Sequence, residues 1–285
     1  MKLEEFQEQF KLINRLKSKK NYSHQSLSEL QKLPILNGIL EFNFDGKKFL
    51  MLNIFNDDAV PLKYLWRDEY ENLSLKIWYE ITRKEGVFFD VGAHTGIYSI
   101  IGNLNKNKNS IISLEPFYLN YARLMSNLKL NNISSNNCVL SAASNEQGVD
   151  KFLISTSLQY HSSGGKISES GNISVKKIKL DNINVNNKIS GIKIDTEGHE
   201  LEVLEGAKIL LNKFVPDIIF EINEEVFNKC INILKNFGYK FYFIDEKEKK
   251  IVEILQFNDS LKRIEGSNCY ATTNNSLIKS LKILD

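Results

Sequence analysis

Acidic residues and glycines meet at the end of an apolar segment that runs from Val87 to Gly96. The order Val-Phe-Phe-Asp-Val-Gly-Ala-His-Thr-Gly predicts a buried strand, a tight turn and the start of a helix. The two glycines let the backbone turn sharply and approach a ligand closely. Their Asp-x-Gly-x-x-x-Gly spacing differs from the Gly-x-Gly-x-x-Gly of dinucleotide-binding sites. An acid that ends the strand suits a ligand with a cationic head, such as S-adenosylmethionine (SAM), which carries an ammonium and a sulfonium.

A second acid, Glu115, ends the next short apolar strand, 19 residues beyond Gly96. At that strand tip a carboxylate can accept hydrogen bonds from two ribose hydroxyls. The small residues between Cys138 and Ala143 would let an adenine ring lie flat against the backbone. Two such motifs in register, with one helix between them, favour a cofactor site over two unrelated surface carboxylates. The residues predicted to contact the cofactor are Asp90, Gly92, Ala93, His94, Thr95, Gly96, Glu115, Pro116, Phe117, Ser141 and Ala142.

Three further acids lie at the predicted carboxyl ends of later strands, namely Asp195, Glu197 and Glu221. Parallel α/β sheets present reactive groups at this edge. We therefore predict that these carboxylates converge and include a general base for a proton transfer. His199 is a second candidate for the base, because the ordinary pKa of histidine suits the role. The same three acids are the candidate ligands of a divalent metal such as Mg²⁺, which the number of carboxylates alone cannot establish.

The composition is that of a globular protein of 285 residues, 42% hydrophobic and 25% charged, with a formal net charge of +2. So small a charge gives no argument for binding nucleic acid or an anionic membrane surface. The cysteines, at positions 138, 230 and 269, are scattered and odd in number, which fits a reducing compartment. The N-terminus lacks the pattern of a signal peptide, and no apolar run reaches the length of a membrane span. The sequence therefore predicts a cytoplasmic location.

The first 85 residues are predicted to form an extension of helices and a hairpin, followed by one domain over residues 86–285. Apolar residues at intervals of three or four predict its helices, and Asp45-Gly46 predicts the turn of the hairpin. We expect the extension to cover the cofactor, or to shape a substrate pocket, and to mediate any self-association. The expected order is a helix over 1–20, irregular chain over 21–35, a hairpin over 38–54, a loop over 57–66 and a helix over 69–84.

From residue 87 onward, strand-like apolar runs alternate with amphipathic helical runs. This order predicts a three-layer α/β fold, Rossmann-like, with a mostly parallel seven-stranded sheet. Residues 149–154 and 173–180 alternate well enough to be strands of an antiparallel insertion. Between them, residues 155–172 are rich in Ser and Gly and are expected to form a mobile loop near the site, with His161 as an exposed loop histidine.

Four motifs stand at or near the ends of predicted strands: Asp90-Val-Gly-Ala-His-Thr-Gly96, Leu114-Glu-Pro116, Lys179-Leu-Asp181 and Lys193-Ile-Asp-Thr-Glu-Gly-His-Glu-Leu201. Together they resemble the FkbM-type SAM-dependent methyltransferases over residues 85 to about 245. The resemblance implies a Rossmann-like fold, SAM as methyl donor, and O-methylation, often of sugar hydroxyls in glycans or natural products. His94 stands where the family often has asparagine, which favours contact with the cofactor over catalysis.

Three interpretations of function follow. The first is an O-methyltransferase that acts on a sugar, a glycan or a related small polyol. A nicotinamide-dependent oxidoreductase is disfavoured by the glycine spacing and by the lack of a Tyr-x-x-x-Lys-like pair. A catalytically silent SAM-binding or assembly module, with the N-terminal helix as its interaction surface, stays open on the sequence.

Overall fold

The computed structural model describes residues 3–23, 25–105, 109–154, 164–257 and 267–280. In the N-terminal extension, the first helix, the hairpin and the helix before the glycine-rich strand are confirmed. The elements of this part are α1 (Leu3–Lys17), α2 (Leu27–Leu30), β1 (Gly38–Phe44), β2 (Lys47–Asn53), α3 (Ala59–Arg67) and α4 (Asn72–Ile81).

Two of these helices lie where no helix was predicted. The loop expected over residues 57–66 is wrong, because α3 occupies most of it. Asp58 caps this helix by accepting a hydrogen bond from the Val60 N–H, and Pro61 falls in the first turn, where a missing N–H costs nothing. Within the segment expected to be irregular, Ser26 and Glu29 form a capping box at the start of α2. Side-chain capping helps to define both helices, and a prediction based on hydrophobic periodicity does not detect capping.

The remaining elements follow the predicted alternation of strands and helices. Among the described residues, no helix is long and apolar enough to cross a membrane. These elements are β3 (Val87–Val91), α5 (Ile97–Asn103), β4 (Ser110–Leu114), α6 (Tyr118–Leu130), β5 (Cys138–Val139), β6 (Ala142–Ala143), β7 (Gly148–Leu153), β8 (Lys166–Ile167), β9 (Ile173–Ile178), β10 (Ile189–Ile194), α7 (Glu200–Glu205), α8 (Lys208–Phe214), β11 (Asp217–Glu221), α9 (Phe227–Lys235), β12 (Lys240–Asp245), β13 (Lys250–Ile254), β14 (Asn268–Thr272) and α10 (Ser276–Ser280).

The central sheet has eight strands in the order β13-β12-β14-β11-β10-β3-β4-β5. The five strands from β11 to β5 run parallel, whereas β12, β13 and β14 pair antiparallel with their neighbours. This confirms the predicted α/β class with a mixed, mostly parallel sheet. The count is eight rather than the predicted seven, because β13 extends the edge of β12 as an antiparallel hairpin. Strand β13 was not predicted from the sequence because a run of lysines and glutamates leads into it. Only two of its residues, Ile251 and Ile254, are buried.

Helices cover both faces of this sheet, which gives the predicted three layers. Neighbouring residues of β3 show the division, because Phe89 packs in the cluster that includes α7, α8 and α9, whereas Phe88 packs in the cluster that includes α4 and α5. Trp78 of α4 lies edge-on to Phe88, with ring centroids 6.0 Å apart, and donates Nε1–H to the Tyr98 carbonyl at 2.8 Å. Helix α4 thus completes one layer of the core although it belongs to the extension. The domain boundary at residue 85 stays a prediction.

A carboxylate from far along the chain holds the start of α4. Glu246, which follows β12, accepts hydrogen bonds from the backbone N–H groups of Leu73 and Ser74, each at 2.8 Å. N–H groups in the first turn of a helix have no partner within the helix itself. This cap therefore ties the extension to the C-terminal strands.

A second sheet, of four strands in the order β6-β9-β7-β8, forms the insertion. Strands β7 and β9 pair antiparallel, as predicted. The single strand expected over residues 138–143 is instead two strands, because β5 pairs with β4 and β6 pairs with β9. The loop expected over residues 155–172 includes β8 in its described part, and His161 lies outside the described residues.

Candidate functional site

A cleft opens at the carboxyl ends of β3, β4 and β10, with an open volume of about 1010 Å³ that includes its solvent-exposed mouth. The glycine-rich turn, the insertion and the extension all contribute walls, the last through Ala59, Val60 and Tyr70. The sequence-predicted site residues that line the cleft are Asp90, Gly92, Ala93, His94, Glu115, Pro116, Ser141, Ala142, Asp195, Glu197 and His199.

Three predicted cofactor residues lie behind the cleft wall instead. Thr95 is buried, and its carbonyl accepts a hydrogen bond from Asn127 Nδ2 at 2.8 Å. Gly96 precedes α5 with a φ of +99°, a conformation in the left-handed region. Phe117 is also buried and packs in the cluster that holds the insertion sheet. These residues support the glycine-rich turn and its surroundings.

Position 92 requires glycine because the carboxyl ends of β3 and β10 approach each other closely there. Its φ is +74°, and a Cβ built there would lie 1.7 Å from the backbone carbonyl oxygen of Asp195. The N–H groups of Gly92 and Ala93 both donate to the Leu114 carbonyl at 2.9 Å, which fixes the turn against β4. The sequence predicted that a side chain here would block the ligand. The structure shows that it would first collide with the protein's own backbone.

Glu115 holds the same turn from the tip of β4. Its Oε2 accepts the His94 N–H at 2.8 Å, and its Oε1 accepts the Phe117 N–H at 2.9 Å. Burial raises the pKa of this carboxyl group, against the opposing effects of His94 and the two backbone donors. Each carboxylate oxygen has a second lone pair, so the predicted contact with ribose hydroxyls is compatible with these bonds.

Replacing Glu115 by alanine is expected to weaken SAM binding by about 1.5–3 kcal/mol, the range for hydrogen bonds to a charged group. Isothermal titration calorimetry measures the change. Some loss of thermal stability should accompany it, because two backbone N–H groups lose their acceptor. Unchanged affinity would remove Glu115 from the cofactor site.

Asp90 lies on the floor of the cleft and is only 1% exposed. It accepts a hydrogen bond from Ser99 Oγ at 2.5 Å, and Ser99 is in turn 2.6 Å from Ser113 Oγ. Burial raises the pKa of Asp90 to about 6, even though Ser99 and Lys193 favour the ionised form. Asp90, near the end of β3, is thus held in one position by a network of serine hydroxyls.

Glu197 combines access to the cleft with an unusual backbone and an altered acidity. Its φ is +55°, a left-handed conformation that is uncommon for a residue with a side chain. By accessible surface it is an exposed residue. The protein atoms packed around its carboxyl group, and then the carboxylates of Asp195 and Glu200, nevertheless raise its pKa to about 7. Strained backbone and shifted acidity concentrate at functional sites.

His199 contacts protein groups through both ring nitrogens. Nε2 lies 3.0 Å from Ser144 Oγ, and Nδ1 lies 3.5 Å from a carboxylate oxygen of Glu202. Burial lowers the pKa of this imidazole. These contacts tie the start of α7 to the insertion, and they leave Glu197 better placed than His199 to act as the base.

Glu221 does not line the cleft, although burial and then Asp195 raise its pKa well above the usual range. Among the described residues, no group of three or more His, Cys, Asp or Glu side chains is placed to hold a metal ion. A metal held by the candidate ligands Asp195, Glu197 and Glu221 is therefore not supported. Lys193 Nζ lies 3.2 Å from Asp195 Oδ2, so an ammonium of the protein itself stands beside this acid.

Like Tyr70, Lys193 is a cleft residue that the sequence prediction missed. Its side chain is 1% exposed in the buried strand β10 and lines the cleft. Nζ donates to Asn268 Oδ1 at 2.9 Å and lies 4.9 Å from the centroid of the Tyr98 ring. Burial opposes its charge, but three nearby carboxylates outweigh burial and raise the pKa of the ammonium. The sequence signal that could have identified Lys193 is a charged residue between two isoleucines of a predicted buried strand.

Solved structures similar to this chain include several methyltransferases, all at low identity. The FkbM methyltransferase from Methylobacillus flagellatus KT is 14% identical with a TM-score of 0.41, over 76% of this chain and 54% of that chain. This chain thus spans about half the length of that protein. A ribosomal protein L11 methylase from Lactobacillus delbrueckii subsp. bulgaricus is 15% identical with a TM-score of 0.42, over 70% of this chain and 75% of that one. TYW2 from M. jannaschii, in complex with AdoMet, is 14% identical with a TM-score of 0.40, over 82% and 84% respectively.

A search of curated protein sequences finds no match. The family model described as the methyltransferase FkbM domain, by contrast, matches residues 90–241, which is more than half of the 285-residue chain. The matched segment begins at Asp90 and contains the cleft residues Glu115, Lys193 and Glu197. The resemblance seen in the motifs is therefore confirmed, and the chain belongs to the FkbM family of SAM-dependent methyltransferases.

Proposed function

We propose that this methyltransferase transfers the methyl group of SAM to a hydroxyl oxygen of a sugar, a glycan or a related small polyol. Glu197 is the observation that supports oxygen as the acceptor atom, because it places on the cleft a carboxyl group with a pKa of about 7. An alcohol is barely acidic at neutral pH, so its methylation benefits from a group that takes the proton. A base whose pKa lies near the working pH is best suited to that task.

The residues of the cleft fit SAM. Asp90 and Glu115 place two carboxyl groups at neighbouring strand ends, where they complement a cationic ligand with ribose hydroxyls. Ser141 and Ala142 supply a small-residue wall that suits an adenine ring. When bound, SAM supplies an electrophilic methyl carbon.

The side chains near the end of β10 would then act on the acceptor hydroxyl. Glu197 takes its proton, while the ammonium of Lys193 stabilises the negative charge that develops on the oxygen. Asp195 and Asn268 keep that ammonium in one position through hydrogen bonds of 3.2 and 2.9 Å. A donor fixed in advance need not reorganise during the reaction, which is why its contribution is large.

The rate of methyl transfer is expected to rise with pH. The ionised form of Glu197 accepts the proton, so kcat/KM should be low when this carboxyl is protonated and should reach a plateau above its pKa of about 7. Initial rates with labelled SAM between about pH 5 and about pH 9 give the profile. A flat profile over this range would contradict the assignment of Glu197 as the base.

Product analysis tests the acceptor atom itself. The enzyme is incubated with SAM and a panel of free sugars, glycosides and polyols, and NMR spectroscopy locates the new methyl group. We expect an O-methyl ether. Methylation at nitrogen or carbon, or no turnover on any hydroxyl compound, would overturn the proposed function.

A further inference from the structure

The order of the strands gives the cleft two ends. Glu115 follows β4 and Asp195 follows β10, and these strands flank β3 on opposite sides. Neighbouring strands lie about 4.8 Å apart, so the two acids are separated by roughly two strand spacings. With the ribose hydroxyls at Glu115, the region around Asp195 is left for the methyl acceptor. We call this region, lined by Lys193, Asp195, Glu197 and Tyr70, the acceptor end.

Tyr70 brings the N-terminal extension into the acceptor end. It lies between α3 and α4, lines the cleft and is half-buried. It directly precedes Glu71, whose carboxylate accepts hydrogen bonds from Tyr98 and from Asn268, the residue that also holds Lys193 Nζ. These contacts place this segment beside the acceptor end, and burial together with Glu71 and Asp195 raises the pKa of the Tyr70 phenol. An aromatic ring beside hydrogen-bond acceptors suits a molecule that has both apolar C–H faces and hydroxyl groups.

The acceptor end carries more negative than positive charge. Within the described part of the chain, Lys193 is the one lysine or arginine that lines the cleft. Its ammonium already donates to Asp195 and Asn268, and Glu71 lies nearby, where it accepts hydrogen bonds from Tyr98 and from Asn268. Lys63 Nζ lies 5.3 Å from the centroid of the Tyr70 ring but does not line the cleft. Lys166, exposed on β8, is near enough to lower the pKa of Glu197, but Asp195, Glu197 and Glu71 outnumber Lys193 and Lys166. A phosphate or carboxylate placed here would therefore face net repulsion.

We propose that the acceptor is an uncharged, hydroxyl-rich molecule such as a neutral sugar, bound against Tyr70, and that phosphorylated, nucleotide-linked and carboxylated sugars are disfavoured. This inference rests on the proposed O-methyltransferase function and narrows its substrate. Hydroxyl groups of the acceptor would donate to Asp195 and Glu197, which as carboxylates can only accept. The extension therefore takes part in choosing the substrate.

Paired acceptors test the charge preference. Transfer from labelled SAM is measured on neutral methyl hexosides and on the matching hexose phosphates, hexuronates and nucleotide sugars. We expect kcat/KM to favour the neutral member of each pair by at least ~10-fold, with a smaller ratio at high salt because salt screens the repulsion. Equal or greater activity on the anionic members would overturn this inference and leave O-methylation intact. No transfer to any sugar would instead contradict the proposed function and with it this inference.

A substitution at Tyr70 tests the binding surface on the acceptor that proves most active. Tyr70→Ala should raise its KM at least ~10-fold and leave SAM affinity within about two-fold, because the ring lies at the acceptor end. Tyr70→Phe, which keeps the ring, should restore most of the binding. The matched control is Tyr79→Ala, since Tyr79 is also half-buried beneath a lysine ammonium, 5.9 Å away, but does not line the cleft. An unchanged KM in a folded Tyr70→Ala protein, or an equal rise in the control, would overturn the role of Tyr70.

Discussion

Gly92→Ala is expected to abolish SAM binding and to lower the free energy of unfolding by about 3 kcal/mol or more, from overpacking and backbone strain together. The added Cβ would lie 1.7 Å from the Asp195 carbonyl oxygen, and the φ of +74° disfavours any side chain. Relief of this contact requires β3 and β10 to separate at their carboxyl ends. That movement would displace Asp195 and Glu197, and it would disturb the turn that holds Glu115. Chemical denaturation and calorimetric titration with SAM measure the two effects.

Gly46→Ala is the matched control for this substitution. Gly46 has nearly the same φ, +77°, but no heavy atom lies within 4 Å of its ideal Cβ position. Its replacement should cost about 1 kcal/mol, the penalty for a left-handed conformation alone, and SAM binding should be unaffected. If both variants lost the same stability and both bound SAM, the close approach at Gly92 would not be what the fold requires.

Glu197→Gln is expected to reduce kcat by at least ~10²-fold, the usual scale for losing a general base, while SAM affinity changes by no more than a few-fold. The amide has the same shape as the acid but cannot take the proton from the acceptor hydroxyl. The rise of activity with pH near 7 should disappear in the same variant, since Glu197 is the group assigned to it. Single-turnover rates and calorimetry separate the chemical step from binding.

A control variant and a stability measurement test the assignment of Glu197 as the general base. Glu253→Gln, at an exposed glutamate of β13, should leave kcat unchanged. As pH rises, stability should fall while activity increases. The reason is that the folded protein holds a proton on Glu197 at pH values where the unfolded chain has released it. Ionisation of Glu197 therefore lowers stability as pH rises from about 4.5 to about 7, and Glu197→Gln should reduce this decline. Full activity in a well-folded Glu197→Gln protein would contradict the proton-transfer role.

The sequence by itself determined the family, the fold class and the edge of the sheet at which the cleft opens. These follow from local order, because the strand, the glycine-rich turn and the helix of residues 87–103 are contiguous in the chain. The carboxyl ends of parallel strands necessarily share one edge, so Glu115, Asp195 and Glu197 could be assigned to it before their contacts were known. The hairpin and α4 were equally evident from alternation and helical periodicity.

The tertiary structure decided the contacts between distant segments, which no periodicity encodes. Gly92 meets Asp195, and Lys193 meets Asn268, only once β10 has settled between β3 and β11 and β14 has paired beside β11. The same packing made Tyr70 part of the cleft lining and left Glu221 out of it. It also raised the pKa of Glu197, because the acidity of a carboxyl group depends on the atoms and charges around it rather than on its neighbours in sequence.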